Sequence, residues 1–172
     1  MMEPQLIDWM AAVWQVLKWS HGIIIWNLFL AFIPLVLSVW LFRYSRTRSL
    51  VWWMGFLAFI AFLPNAPYVL TDIIHLIDLT RWVNSVWLIT LVLIPQYLIY
   101  ILAGFEAYVI SLINLGYYLQ TLGKEKYIPW VELIPNALCS IGIYLGRFNR
   151  FNSWDIVAQP KQVARSVIEN FT

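Results

Sequence analysis

The stretch WVNSVWLITLVLIPQYLIYILAGFEAYVISLINLGYYLQ, Trp82–Gln120, contains a single charged residue, Glu106. So long an apolar run suits hydrocarbon, not water. As one straight helix it would be more than about 50 Å long at 1.5 Å per residue, against a bilayer core of about 30 Å. Pro95 suits the first turn of a helix, where its missing N–H has no intrahelical partner to lose. The stretch is therefore predicted to be a short interfacial or re-entrant helix over Trp82–Ile94, followed by a span over Pro95–Gln120. The alternative is two short spans turning at Gly104, which makes five spans in all. Phe105 follows Gly104 directly, however, and a turn without a polar loop strands backbone groups in hydrocarbon.

Ionisable gaps organise the rest of the chain in the same way. Gly22–Phe42 is free of charge and long enough for one spanning helix, and Arg43, Arg46 and Arg48 follow it at once. Leu50–Leu70 is a second charge-free run. It contains Pro64-Asn65-Ala66-Pro67, which reads as a strong helix stop. A polar stretch follows, with Thr71, Asp72, His75, Asp78 and Arg81. Beyond Gln120, Lys124, Glu125 and Lys126 precede Tyr127–Gly146, a last apolar run with Glu132 near its start. The pattern predicts an all-α, polytopic membrane helix bundle of four spans, with five as the alternative. Leu6, Ile7, Trp9, Met10, Val13, Trp14 and Leu17 predict an amphipathic interfacial helix over residues 1–21. The bundle then occupies residues 22–146, and a polar motif and tail occupy 147–172.

Composition supports the same solvent. The 172 residues are 62% hydrophobic and 12% charged, where soluble domains carry about 25% charged residues. That excludes a cytosolic enzyme, a disordered tail and a secreted disulfide scaffold. The 11 tryptophans and 9 tyrosines suit a bilayer protein, because amphipathic rings settle at headgroup level. A net charge of +2 argues against nucleic acid as a partner. Cys139 has no second cysteine to pair with, and two histidines with one cysteine are too few for a nitrogen and sulfur zinc site. The sequence specifies no metal ligand set and no cofactor. Glu3 and Asp8, with no basic start, speak against a cleavable signal peptide.

Orientation follows from lysine and arginine. With four spans the side of Arg43 carries five (Arg43, Arg46, Arg48, Lys124, Lys126) against six (Lys18, Arg81, Arg147, Arg150, Lys161, Arg165). With five spans the last four of those six join the Arg43 side and the two lysines leave it, so the split is seven to four. Both arrangements put the Arg43–Arg48 cluster in the cytoplasm.

Several polar groups sit where they are costly. Asn27, inside the first span, reads as helix–helix glue worth about 0.6 kcal/mol on average. Asp72, His75 and Asp78 recur every third residue and would share one face of a helical turn, with Thr71 placed to cap it. A carboxylate beside an imidazole makes a general base, or part of a divalent-metal ligand set. The plainer reading is a solvated turn at the membrane surface. Arg147, Arg150, Asn152, Ser153 and Asp155 crowd into nine residues after an apolar run. If the last span continues, the two arginines share a face and suit phosphate or carboxylate; the plainer reading has them snorkelling to lipid phosphates. Glu106 falls near mid-depth in the four-span arrangement, where a carboxylate is a candidate functional group. Ser111, Asn114 and Gln120 add a thin polar stripe that should face protein.

Three segments carry a resemblance: WNLFLAFIP (Trp26–Pro34), LPNAPYVLTDIIHL (Leu63–Leu76) and IYLGRFNRFNSWDI (Ile143–Ile156). They resemble the bacterial membrane-protein family labelled domain of unknown function 1361 (DUF1361). The resemblance runs from about Trp26 to Ile156. It implies a multi-pass protein of the bacterial cytoplasmic (inner) membrane, with signature positions at Asn27, Asn65, Pro67, Tyr68, Thr71, Asp72, His75, Arg147, Arg150, Asn152, Ser153, Trp154 and Asp155. This sequence departs from the pattern at Asn149 and Phe151. The family is expected to continue into one more hydrophobic segment, whereas this sequence ends at Thr172.

Two functional readings stay open. In the first, the protein binds or processes an anionic headgroup, of a lipid or a polyprenyl phosphate, at the membrane interface. His75 oriented by Asp72 then carries the proton, Arg147 and Arg150 hold the anion, and Asn65, Thr71, Asn152, Ser153 and Asp155 support them. In the second, it is a non-catalytic assembly or structural subunit, with a membrane-protein partner or as a homo-oligomer, whose polar motifs fix packing and bind the bilayer. A transporter, with Asn27, Glu106 and Asn136 lining a path, ranks behind both.

Overall fold

A computed structural model describes residues 3–45 and 47–147, together with residues 161, 162 and 165. Of the described residues 91% are helical and none is in a strand.

The first helix, α1 (Glu3–Val39), runs without a break and ends in a π turn, Trp40–Tyr44. The expected boundary between an N-terminal helix and the first span, at residues 21 and 22, is therefore not an element boundary. Neither Ser20 nor Gly22 carries enough turn chemistry to stop a helix flanked by strong apolar formers. After a short connection, Ser49 accepts a hydrogen bond from the Trp52 amide and starts α2 (Leu50–Phe62).

The two prolines that follow bend the chain without ending its helical path. Leu63, Pro64, Tyr68, Val69 and Asp72 all keep right-handed helical dihedrals. The chain passes through α3 (Asn65–Tyr68) and a tight 3₁₀ turn (Val69–Asp72) into α4 (Ile73–Trp82). Each proline removes an N–H, and shorter bonds such as Ala66 N–H to the Leu63 carbonyl, 3.3 Å, carry the backbone past the gap. The Pro64–Pro67 stop predicted from sequence is thus a break into short helical pieces.

Chain extension comes later, at Val83 and Ser85, both in extended conformation. Ser85 caps a new helix by accepting from the Leu88 amide. That helix continues through α5 (Val86–Leu88), a π turn (Ile89–Leu93) and α6 (Ile94–Thr121) as one segment of 36 residues. The separate helix predicted over Trp82–Ile94 does not form. Its sequence is divided between the end of α4, the extended break and the first turns of the long segment. The π turn is the reason: Ile94 N–H reaches back to the Ile89 carbonyl, and the widened turn accommodates Pro95 within a running helix. Gly104 lies inside α6, so the turn required by the five-span alternative is absent. Its role is close packing: a Cβ at that position would overlap the Val69 side chain of the 3₁₀ turn.

α6 closes on Gly123, whose φ of 65° only glycine adopts freely. Gly123 N–H bonds the Gln120 carbonyl and Lys124 N–H the Leu119 carbonyl, each at 2.9 Å, which satisfies the last carbonyls of the helix. The chain then turns into α7 (Ile128–Arg147).

Two interhelix contacts set the topology. Ser20 Oγ meets Gln96 Oε1 at 3.2 Å, and Asn114 Nδ2 donates to Ser38 Oγ at 3.0 Å. Both pairs are 76 residues apart, so α1 and α6 run parallel in a fixed register. α2 returns along α1, and α7 returns along α6, tied by Tyr108 Oη donating to Asn136 Oδ1 at 2.6 Å. α6 is the hub, packed against α1, the 3₁₀ turn, α3 and α7.

Among the described residues, three segments are long and apolar enough to cross a membrane: Asp8–Tyr44, Leu50–Trp82 and Val86–Thr121. α7, interrupted by Pro135, is not among them. Large apolar side chains such as Trp14, Val36, Leu57 and Ile99 point outward. A surface of this kind fits lipid as its solvent.

Candidate functional site

The 3₁₀ turn aims Asp72 into the bundle. Its carboxylate is 1% exposed. A buried carboxylate is tolerated only with donors around it, and two helices supply them. Asn27 Nδ2 of α1 donates to Asp72 Oδ2 at 2.7 Å, and the Tyr100 hydroxyl of α6 donates to the same oxygen. The other oxygen, Oδ1, faces His75 Nε2 at 3.8 Å, beyond hydrogen-bond length but within ion-pair range. His75 is 37% exposed, so one side of its ring meets the carboxylate while the side chain keeps access to the outside. A solvated surface turn does not describe Asp72. It does describe Asp78, which is exposed and pairs with Arg81 at 3.6 Å.

Beside His75 lies a cavity of about 250 Å³. Ser20, His75, Asp78 and Tyr97 provide its polar lining, and Trp19 and Trp82 provide aromatic walls. Tyr97 is 1% exposed, and its hydroxyl has no hydrogen-bond partner among the described residues. Buried polar groups are nearly always satisfied. An orphaned hydroxyl on a residue that lines a cavity marks a place where a ligand atom can complete the bonding.

Asn65 Nδ2 donates to the Phe62 carbonyl at 3.1 Å, and Thr71 Oγ1 donates to the Tyr68 carbonyl at 2.7 Å. Both satisfy backbone oxygens around the proline break. The expected Thr71 cap does not form, because its hydroxyl turns back along the chain. Asn114 and Ser111 are buried in α6 as the polar stripe predicted, whereas Gln120 is exposed. Asn114 Oδ1 accepts from Arg43 Nε at 2.8 Å, and the Arg43 guanidinium lies 4.0 Å above the Tyr117 ring. Glu106 is on the exposed side of α6, away from Asp72.

The direction of α7 bears on the remaining motif. From the Tyr108–Asn136 contact it continues to Arg147, roughly 16 Å at the α-helical rise. The same rise back along α6 from Tyr108 reaches Tyr97, so the end of α7 comes to the level of the Asp72 cluster. Arg150, Asn152, Ser153 and Asp155 lie outside the described residues.

The profile of a family described as "protein of unknown function (DUF1361)" matches residues 26–172. The chain belongs to the DUF1361 family. No curated protein and no solved structure matches it. The matched DUF1361 region begins one residue before Asn27 and takes in Asp72, His75, Tyr97 and Tyr100. Trp19 and Ser20, on the cavity wall, precede it. Of the positions expected from the resemblance, Asn27, Asp72 and His75 converge in space, while Asn65, Pro67, Tyr68 and Thr71 build the broken segment that delivers Asp72. Tyr97 and Tyr100 went unnoticed in the sequence. Their signal was spacing: two tyrosines three apart share a helix face just after Pro95, in a run otherwise composed of aliphatic residues and Gln96.

Proposed function

We propose that this DUF1361 protein is a multi-pass protein of the bacterial cytoplasmic membrane that binds or processes an anionic headgroup, of a lipid or a polyprenyl phosphate. The observation that carries the reading is the buried Asp72 carboxylate, braced by Asn27 and Tyr100 and set beside a part-exposed His75 at a cavity mouth. A fixed carboxylate orients the imidazole beside it for proton transfer. His75 carries the proton, and Tyr97 donates a hydrogen bond to the ligand. Arg147, the last residue of α7, and Arg150, three residues further along the sequence, hold the anion. α7 is the fourth span, which brings the two motifs to one side of the membrane, with Arg43, Arg48 and Lys124 in the cytoplasm.

The test is binding of a short-chain polyprenyl phosphate by the full chain in mild detergent. His75→Ala and Arg147→Ala should each weaken it about tenfold, the effect of one lost hydrogen bond to a charged group. Glu106→Gln, on the exposed side of α6 and outside the cavity lining, should change it less than about twofold. Unaltered binding in both alanine variants overturns the proposal.

A second reading has a specific observation behind it. Asn27, Asp72 and Tyr100 tie α1, the 3₁₀ turn and α6 together, as a purely structural clamp would. On that reading the protein is a non-catalytic assembly subunit. Mild-detergent purification from native membranes should then recover one partner at fixed stoichiometry, and monomer alone counts against it.

A further inference from the structure

A second opening lies at the other end of the bundle. α2, α6 and α7 enclose an apolar groove of about 360 Å³, within the range of ligand sites. Trp52 and Phe56 of α2, Leu115 of α6 and Ile134 of α7 form its walls. Arg48 and Lys124 stand at one end of it, each in a loop that follows a long helix. Arg48 Nε donates to the Tyr118 hydroxyl at 2.9 Å, which fixes the guanidinium at the mouth. That bond uses one of five donors. Among the described residues neither Arg48 nor Lys124 forms an ion pair. The Trp52 indole N–H is already committed to the Leu41 carbonyl at 3.1 Å, so the groove wall offers a chain no donor there.

We propose that this groove is a binding site for one anionic glycerophospholipid, with an acyl chain between α2, α6 and α7 and its phosphate held by Arg48 and Lys124. Charge and shape argue together. Carbon walls suit a hydrocarbon chain, and a pre-positioned arginine with a lysine on the same groove suits a phosphate with net negative charge. A partner helix would gain nothing from two unpaired cations at one end of its groove. The site is separate from the Asp72 cluster. Tyr118 lies 21 residues beyond Tyr97 on the same helical segment, roughly 30 Å by helical rise and about one hydrocarbon thickness. The two sites therefore serve opposite leaflets, and this one needs only that the bundle spans the bilayer.

The experiment is native mass spectrometry of the full chain, released from mixed vesicles of phosphatidylglycerol and phosphatidylcholine with matched chains. Wild type should retain one phosphatidylglycerol in preference to phosphatidylcholine by about tenfold. Arg48→Ala with Lys124→Ala should erase the preference, and Arg48→Lys with Lys124→Arg should keep most of it, which separates charge from misfolding. Leu115→Trp, filling the groove, should reduce retention of both lipids. His75→Ala should leave the preference intact, so failure here is distinguishable from failure of the headgroup site. Equal retention of the two lipids by wild type overturns the proposal. So does a preference that survives the double alanine change, or a dimer that seals the groove and excludes lipid.

Discussion

Tyr100 and Tyr97 lie one helical turn apart on α6, yet they should respond oppositely to loss of the hydroxyl. The Tyr100 hydroxyl donates to a carboxylate that is 1% exposed, whereas the Tyr97 hydroxyl has no partner among the described residues. Interhelix hydrogen bonds in membrane proteins average about 0.6 kcal/mol, with a maximum near 1.7. Bonds to charged groups reach about 1.5–3 kcal/mol. Asp72 has its Oδ2 shared by two donors from two helices, so Tyr100→Phe should sit at the upper end and destabilise by about 2 kcal/mol. Tyr97→Phe removes a buried group that lacks a partner and should be neutral or stabilising by up to about 1 kcal/mol. The assay is reversible unfolding of the purified chain in mixed dodecyl maltoside and SDS micelles, followed by far-UV circular dichroism. A double-mutant cycle of Tyr100→Phe with Asp72→Asn isolates the pair and should return a coupling of about 1.5–2 kcal/mol. A coupling below about 0.6 kcal/mol, or equal losses from the two tyrosine variants, refutes the claim that Asp72 is braced by Tyr100.

Other consequences can be checked with the same preparation. Gly104→Val would force α6 away from Val69, a case of overpacking that should destabilise by about 2–3 kcal/mol; adding Val69→Ala should recover part of the loss. Gly123→Ala places a Cβ on a residue at φ 65°, and the same unfolding titration should register about 1 kcal/mol. Asn114→Ala leaves Arg43 Nε and Ser38 without their shared partner and should destabilise by about 2 kcal/mol. For topology, cysteines at Thr47 and Lys124, with Cys139 replaced by serine, should label from one side of sealed vesicles and a cysteine at Asn84 from the other. Labelling of positions 47 and 124 from opposite sides contradicts the parallel register of α1 and α6.

What could be read from the sequence was whatever depends on local composition. The charge-free runs established an all-helical chain with membrane-length segments, because apolar length alone decides whether a segment can occupy hydrocarbon. The signature residues identified the family, and the Asp72–His75 pair emerged from a spacing that any helical turn respects. Proline was harder to read. Pro64, Pro67 and Pro95 read as boundaries in one dimension, yet 3₁₀ and π turns carry the helical path past all three. Whether a proline ends a helix or only distorts it depends on what packs around it, which is a tertiary fact.

The site depended on the same limit. Sequence placed Asn27 in one apolar run, Asp72 in a polar loop and Tyr100 in another apolar run, at separations of 45 and 28 residues from Asp72. A solvated turn and a buried carboxylate look identical in one dimension, since burial is a property of neighbours. The parallel register of α1 and α6 brought the donors to one level, and the 3₁₀ turn rotated Asp72 towards them. The sequence by itself therefore determined the solvent, the helical class and the family. Only the tertiary structure decided that Asp72 is buried and braced, because the donors that make its burial tolerable come from helices far away along the chain.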